Sequence, residues 1–202
     1  MEPQPLMETV PKADEHGFSL VEFLISTVVL LVVSASVFSM LAETQRAASY
    51  QTEVQTVLEN MRLAMDTLER VIRQAGNNPL KATFQGVTIN GSADAIFCAD
   101  LTGSVPPDKG DPDGAIDDAG ENVRIQYNGA SRSLELNSQP FASYIGAFDM
   151  QYFDANGAVT TAGANVRRVR VTVTGASTLP NPQTGHFFTM RQTSDIELAA
   201  RI

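Results

Sequence analysis

Six carboxylates fall between Asp108 and Glu121: Asp108, Asp111, Asp113, Asp117, Asp118 and Glu121, about half of all the acids in the C-terminal part of the chain. Crowded into one short stretch they repel one another unless water or a cation lies between them. Calcium takes about six to eight oxygens from carboxylates and carbonyls on a flexible turn, and Asp111-Pro112-Asp113-Gly114-Ala115-Ile116-Asp117 offers such groups. The EF-hand pattern is not met. With Gly114 at its sixth position, Lys109 stands first and Gly120 twelfth, where Asp and Glu belong. Asp111, Asp113, Asp117, Asp118 and Glu121 are therefore candidate calcium ligands of a non-EF loop, with a solvated surface loop as the other reading.

Little else in the chain suits covalent chemistry. Its two histidines are His16 and His186, its one cysteine is Cys98, and none has a recognisable partner sequence. No nucleophile elbow, phosphate loop or zinc-ligand spacing occurs, so no enzymatic function is expected. Cys98, within Ala95-Ile96-Phe97-Cys98-Ala99, reads as a small buried residue that cannot form an intramolecular disulfide. His186, between Gly185 and Phe187, reads as a turn residue. Arg167, Arg168 and Arg170 make a short basic strip that reads as the solvated face of a strand. The chain as a whole carries a net charge of −9, against the clustered positive charge that nucleic-acid binding needs.

One more carboxylate has a telling position. Glu22 immediately precedes FLISTVVLLVVSASVFSMLA, residues 23–42, a run of 20 residues without a charge. At about 1.5 Å per residue a helix of that length matches a hydrocarbon core of about 30 Å. Serines at 34, 36 and 39 are compatible with it, since a helix lets each hydroxyl bond to a carbonyl one turn back. A secretory signal would be shorter and end in a small-residue cleavage site, whereas this run ends in Met40-Leu41-Ala42-Glu43. A carboxylate at the edge of such a segment is disfavoured by a few kcal/mol and is normally paired or functional.

Ahead of the run stands His16-Gly17-Phe18-Ser19-Leu20-Val21-Glu22. It resembles the type III, or prepilin, signal of the type IV pilin-like family: a glycine, an aromatic residue that becomes the new N-terminus, and a glutamate at the fifth mature position. The resemblance implies that a prepilin peptidase cuts after Gly17 and methylates the amine of Phe18, leaving the apolar helix on the mature protein. It implies also that Glu22 pairs with the N-terminal amine of a neighbouring subunit and sets register on assembly. Loss of residues 1–17 would remove one of the 14 basic residues and four of the 23 acidic ones, leaving a net charge of −6. Two features depart from the family's major subunits. The leader is acidic, with Lys12 its only basic residue, and Ser39 stands about where a helix-kinking proline often falls. Both fit a minor or pseudopilin-type subunit.

Beyond Glu43 the helical pattern continues. Val54, Leu58, Met61, Met65, Leu68, Ile72 and Ala75 recur at spacings of three and four, while Glu53, Glu59, Arg62, Asp66, Glu69, Arg70 and Arg73 fill the other sides. Gly76 suits a left-handed cap and Pro79 bars further helix. A helix from Phe18 to Ala75 would run roughly 87 Å, so its second half must pack on something, and a sheet of the same chain is preferred over a coiled coil. Short strands follow. Val123–Tyr127 and Leu134–Leu136 alternate about an Asn128-Gly129 turn. Phe148, Met150 and Tyr152 share one face of the next strand, closed by Asp154–Gly157. Val169, Val171 and Val173 alternate with Arg168, Arg170, Thr172 and Thr174, and a last strand covers Phe187 to Leu198. The expected fold is α+β: a long N-terminal transmembrane and amphipathic helix packed on a largely antiparallel sheet head, the pilin-like lollipop. Its expected segments are a leader at 1–17, a transmembrane and polymerisation helix at 18–42, an amphipathic continuation at 43–76 and a β-rich head at 77–202.

The order of MRLAMDTLERVIRQAG, the acidic loop, ENVRIQYNGASRSLEL, FDMQYFDANG and VRRVRVTVTG resembles PilW-like minor pilins and the related J-type pseudopilins of type II secretion. That resemblance implies a single-pass bacterial inner-membrane protein with its head in the periplasm. Its partners would be the prepilin peptidase, other major and minor pilins met through the N-terminal helix, and the inner-membrane assembly platform. A minor pseudopilin shares every one of these features. A singly anchored periplasmic sensor or binding module, with the acidic loop as ligand site, is the reading from another class.

Overall fold

The computed structural model describes residues 19–103, 107 and 109–198, and the chain falls into two compact units that divide between Gln45 and Arg46. Helix α1 (Leu20–Gln74) contributes to both. Among the described residues of the first unit it is the only element, and none of its most apolar stretch is buried by them. Every large apolar side chain from Leu20 to Leu41 is at least half exposed. The hydroxyls of Ser26, Thr27 and Ser36 donate to the carbonyls of Glu22, Phe23 and Val32 at 2.8–3.0 Å, which removes their polarity from the helix surface.

The second unit is α+β. Strands β1 (Val87–Ile89), β2 (Asp94–Cys98), β3 (Asn122–Asn128), β4 (Ser133–Leu136) and β5 (Gln139–Ala142) form one antiparallel meander in sequence order. A second sheet holds β6 (Ile145–Phe153), β7 (Arg168–Pro180) and β8 (Phe187–Glu197), also antiparallel. The expected head therefore contains two antiparallel sheets in place of one. The predicted β3–β4 hairpin forms with Tyr127 opposite Leu134, and Val169, Val171 and Val173 of β7 are fully buried as their alternation requires. Three strands escaped the pattern. β1 has only three residues, β2 was read as a buried run around Cys98, and β5 carries Pro140, which an edge strand tolerates because one face of its ladder is free. The β4–β5 turn is Asn137-Ser138, with φ of 48° and 66°, the doubly left-handed geometry of a tight hairpin.

One core joins the helix to both sheets, from Ala64, Leu68 and Ile72 of α1 through Phe97, Ile125 and Leu134 to Ile145, Met150, Val171 and Ile196. The buried helical face runs Glu53, Val57, Met61, Ala64, Met65, Leu68, Ile72. It follows the expected stripe from Met61 onward, but below that point it turns by one position, so Val54 and Leu58 are only half-buried and Val57 takes the interior. Gly175 on β7 explains the shift. A Cβ built there would lie 2.5 Å from Met61 Sδ and 2.8 Å from Val57 Cγ1, so helix and strand approach more closely than any other residue allows. At the helix end Gly76 takes the expected left-handed conformation, with φ of 79°, and donates its N–H to the Cys98 carbonyl at 2.8 Å. Cys98 itself is buried, and burial pushes its thiol pKa up.

Gly175→Ala is expected to lower the unfolding free energy by about 1–3 kcal/mol through overpacking against Val57 and Met61. Urea denaturation of the purified chain measures it, and an unchanged midpoint would mean that the helix can retreat without loss.

Candidate functional site

Three groups of residues bear on function: the exposed N-terminal helix, the loop between β2 and β3, and a helix-to-strand clamp. Gly17 and Phe18, the predicted cleavage site and methylated terminus, lie outside the described residues, as does Asp108. Glu22 stands in the first turn of α1, exposed, and makes no ion pair among the described residues. Its carboxylate opens the segment whose apolar side chains are left exposed by the described residues. Fifteen such side chains in water would each forgo roughly 1.5–3 kcal/mol of burial, so this surface requires lipid or other helices around it.

The β2–β3 loop is held by two carboxylates that are fully buried, Asp100 and Glu121. Glu121 Oε1 accepts the amides of Leu101 and Thr102 at 2.7 and 2.8 Å, and its Oε2 accepts that of Asp118 at 3.1 Å. Asp100 accepts the amides of Asp113 and Gly114 at 3.1 and 3.0 Å. Hydrogen bonds from backbone N–H groups stabilise a buried carboxylate, and here they fix the loop's path from inside. Glu121, expected among the calcium ligands, thus serves the loop's backbone. Asp113, Asp117 and Asp118 come together, each with one carboxylate atom within 4.8 Å of the others, and Asp111 stands outside that group. Gly114, with φ of 85°, makes the turn beside Asp113.

The clamp was not legible in the sequence. Glu53 was placed among the exposed charges of α1, yet it is 8% exposed and faces the end of β7. Its Oε1 accepts the amide and the hydroxyl of Thr178 at 2.6 and 2.5 Å, and its Oε2 accepts the amide of Leu179 at 2.9 Å. Burial opposes the charge, but the Thr178 hydroxyl, the amides of Thr178 and Leu179 and the field of Arg132 outweigh it, and the carboxyl titrates below its ordinary value. The basic strip is also engaged. Arg170 makes a two-point ion pair with Asp195 across β7 and β8, at 2.7 and 2.9 Å, while Arg168 lies 3.9 Å from the same carboxylate.

An apolar helix with a glutamate at its start and an α+β head packed on the helix's second half fit a membrane-anchored protein. Comparison agrees with that class. A family model of the prokaryotic N-terminal methylation motif matches residues 12–38, which include Gly17, Phe18 and Glu22. This motif is the prepilin-type signal, and it indicates a subunit of the type IV pilin or pseudopilin kind, processed by prepilin peptidase and assembled with other pilins. No curated protein and no solved structure matches the chain.

Two substitutions test the buried carboxylates. Glu53→Gln should cost about 1–3 kcal/mol at neutral pH, because its amide can no longer accept all three donors. Glu53 has a lowered folded pKa, so its contribution is complete above the ordinary value of 4.5 and disappears as pH falls through the lower folded value. Urea midpoints of wild type and variant should therefore converge as pH falls through that lowered folded value, and parallel curves would exclude the linkage. Glu121→Gln should destabilise by a similar amount, roughly 1–3 kcal/mol, and speed hydrogen exchange at the amides of Leu101 and Thr102.

Proposed function

We propose that this chain is a minor pilin subunit that, once cleaved after Gly17 and methylated at Phe18, joins other minor subunits in the inner membrane and helps initiate a type IV pilus. The observation that carries the proposal is the methylation motif at residues 12–38, which takes in the start of a proline-free apolar helix whose large side chains are at least half exposed. The helix-kinking proline often found in major subunits is absent from residues 23–42, and the acidic leader points the same way. The periplasm is the compartment proposed for the head, with the inner-membrane assembly platform as the partner that receives the cleaved subunit.

Glu22 has a defined task in this scheme. Its carboxylate is exposed and unpaired among the described residues, at the margin of a segment that would otherwise exclude charge. An amine supplied by a second subunit's Phe18 neutralises it there, and the low dielectric of the membrane margin makes the pair strong enough to select one axial register. A minor pseudopilin of type II secretion would use the same pair. Loss of pili, as against loss of protein secretion, on deletion of the gene separates the two.

Mass analysis of the N-terminus, with and without a prepilin peptidase, is the decisive measurement. The expected result is methylated Phe18 in the first case and the intact leader in the second, and a retained leader in both would overturn the class. Glu22→Ala should be cleaved normally but fall roughly tenfold or more in sheared filaments, a change equivalent to at least about 1.4 kcal/mol of subunit affinity.

A further inference from the structure

The end of the β7–β8 hairpin is an exposed arm without charge. β7 pairs with β6 only as far as Gly175, and its last residues pair with β8 alone, up to Pro180 opposite Phe187. From Thr178 to Met190 every residue is exposed except Asn181 and Phe188, which are half-buried. None of these residues is Asp, Glu, Lys or Arg, although such residues make up 18% of the chain. Leu179 and Phe187 are 44% and 58% exposed. Exposed outer strands are ordinarily protected by charge, and a surface apolar patch without it marks a contact with a partner or a membrane. The turn itself is closed by internal bonds. Asn181 Oδ1 accepts the amides of Gln183 and Thr184 at 2.8 and 3.2 Å, the Asn181 carbonyl accepts that of Gly185 at 2.8 Å, and the His186 carbonyl accepts that of Asn181 at 2.9 Å. Amides satisfied in this way lower the cost of entering a poorly hydrated layer.

β7 fixes where the arm points. Gly175 lies against Val57 and Met61, and the Thr178 amide bonds to Glu53, so the strand runs along α1 toward the helix's N-terminus. Gln183, at the apex of the turn, stands five residues beyond Thr178, about 15 Å of strand. Arg46, where the second unit begins, stands seven residues before Glu53, about 10 Å of helix. The arm therefore reaches the edge of its own unit. The uncharged run ends at Ala42, at most about 14 Å along the chain from Arg46. We propose that the tip of the β7–β8 hairpin lies in the headgroup layer of the bilayer that residues 23–42 span, with Leu179 and Phe187 against the lipid. That layer takes aromatic and apolar side chains beside uncharged polar ones, and the tip offers both, since Asn181, Gln183 and Thr184 stand between its apolar residues. A wholly apolar helix of another subunit would leave those polar groups without partners. The contact gives the anchored head a second hold on the membrane; it rests on the membrane anchor and not on the pilus role.

The chain contains no tryptophan, so one introduced at a chosen site reports alone. Full-length Met40→Trp, Phe187→Trp and Val159→Trp proteins are compared at one copy per nanodisc, in phosphatidylcholine with and without a nitroxide on the headgroup. All three replace exposed side chains and should fold. Met40 stands near the end of the uncharged run, and Val159 is bridged to Phe153, at the end of the sheet opposite the hairpin turn. Met40→Trp and Phe187→Trp should lose most of their emission to the nitroxide, while Val159→Trp keeps its own. An unquenched Phe187→Trp beside a quenched Met40→Trp overturns the hairpin contact and leaves the anchor standing, as does equal quenching at 187 and 159. No quenching at Met40→Trp overturns anchor and contact together. A Phe187→Trp emission that moves to shorter wavelength only as copies per disc increase assigns the arm to another subunit, which also overturns the proposal.

Discussion

The second half of α1 is the spine on which the head is assembled. Its buried face, from Val57 to Ile72, packs into the core that holds side chains of both sheets. A five-stranded and a three-stranded meander could each slide over a smooth helix. Two devices prevent that: Gly175 admits Val57 and Met61 into close contact with β7, and Glu53 grips the amides of Thr178 and Leu179. One acts by shape and the other by directed hydrogen bonds, and together they set the height of β7 along the helix.

Carboxylates do four different jobs in this chain, and their surroundings decide which. Glu22 is exposed at the start of an apolar surface and makes no ion pair among the described residues, which leaves it for the intersubunit role proposed above. Glu53, Asp100 and Glu121 are buried acceptors of backbone amides, a use that turns a costly charge into a local staple. Asp94 and Asp195 form cross-strand pairs with Arg124 and Arg170. Asp113, Asp117 and Asp118 face one another. The net charge of the chain says nothing about this division, since all four kinds count equally in it.

The N-terminal half of α1 behaves by the opposite rule. No described residue covers it, and the hydroxyls of Ser26, Thr27 and Ser36 bond back to its own carbonyls, so its outer surface is largely apolar. Such a segment is stable in lipid or among similar helices, and transfer between those two environments changes little of its hydrophobic burial. The proposed role, in which the subunit leaves a bilayer and enters a filament, relies on that indifference.

The sequence by itself determined the features that depend on neighbours along the chain. The uncharged run at 23–42, the glycine, phenylalanine and glutamate before it, the period of the stripe from Met61 to Ala75, the cap at Gly76 and the β3–β4 hairpin are all local, because helix period, strand alternation and turn geometry each act over a few residues. Tertiary structure alone decided that Glu53 is buried, that the stripe turns to Val57, that eight strands form two sheets, and that three of the loop's acids converge while Glu121 holds backbone. Each of these rests on a contact between distant segments: Glu53 with Thr178, 125 residues away, Val57 with Gly175, and Asp100 with Gly114. A charged residue on a helix reads as exposed until the donors that compensate it are brought beside it, and only the folded chain supplies them.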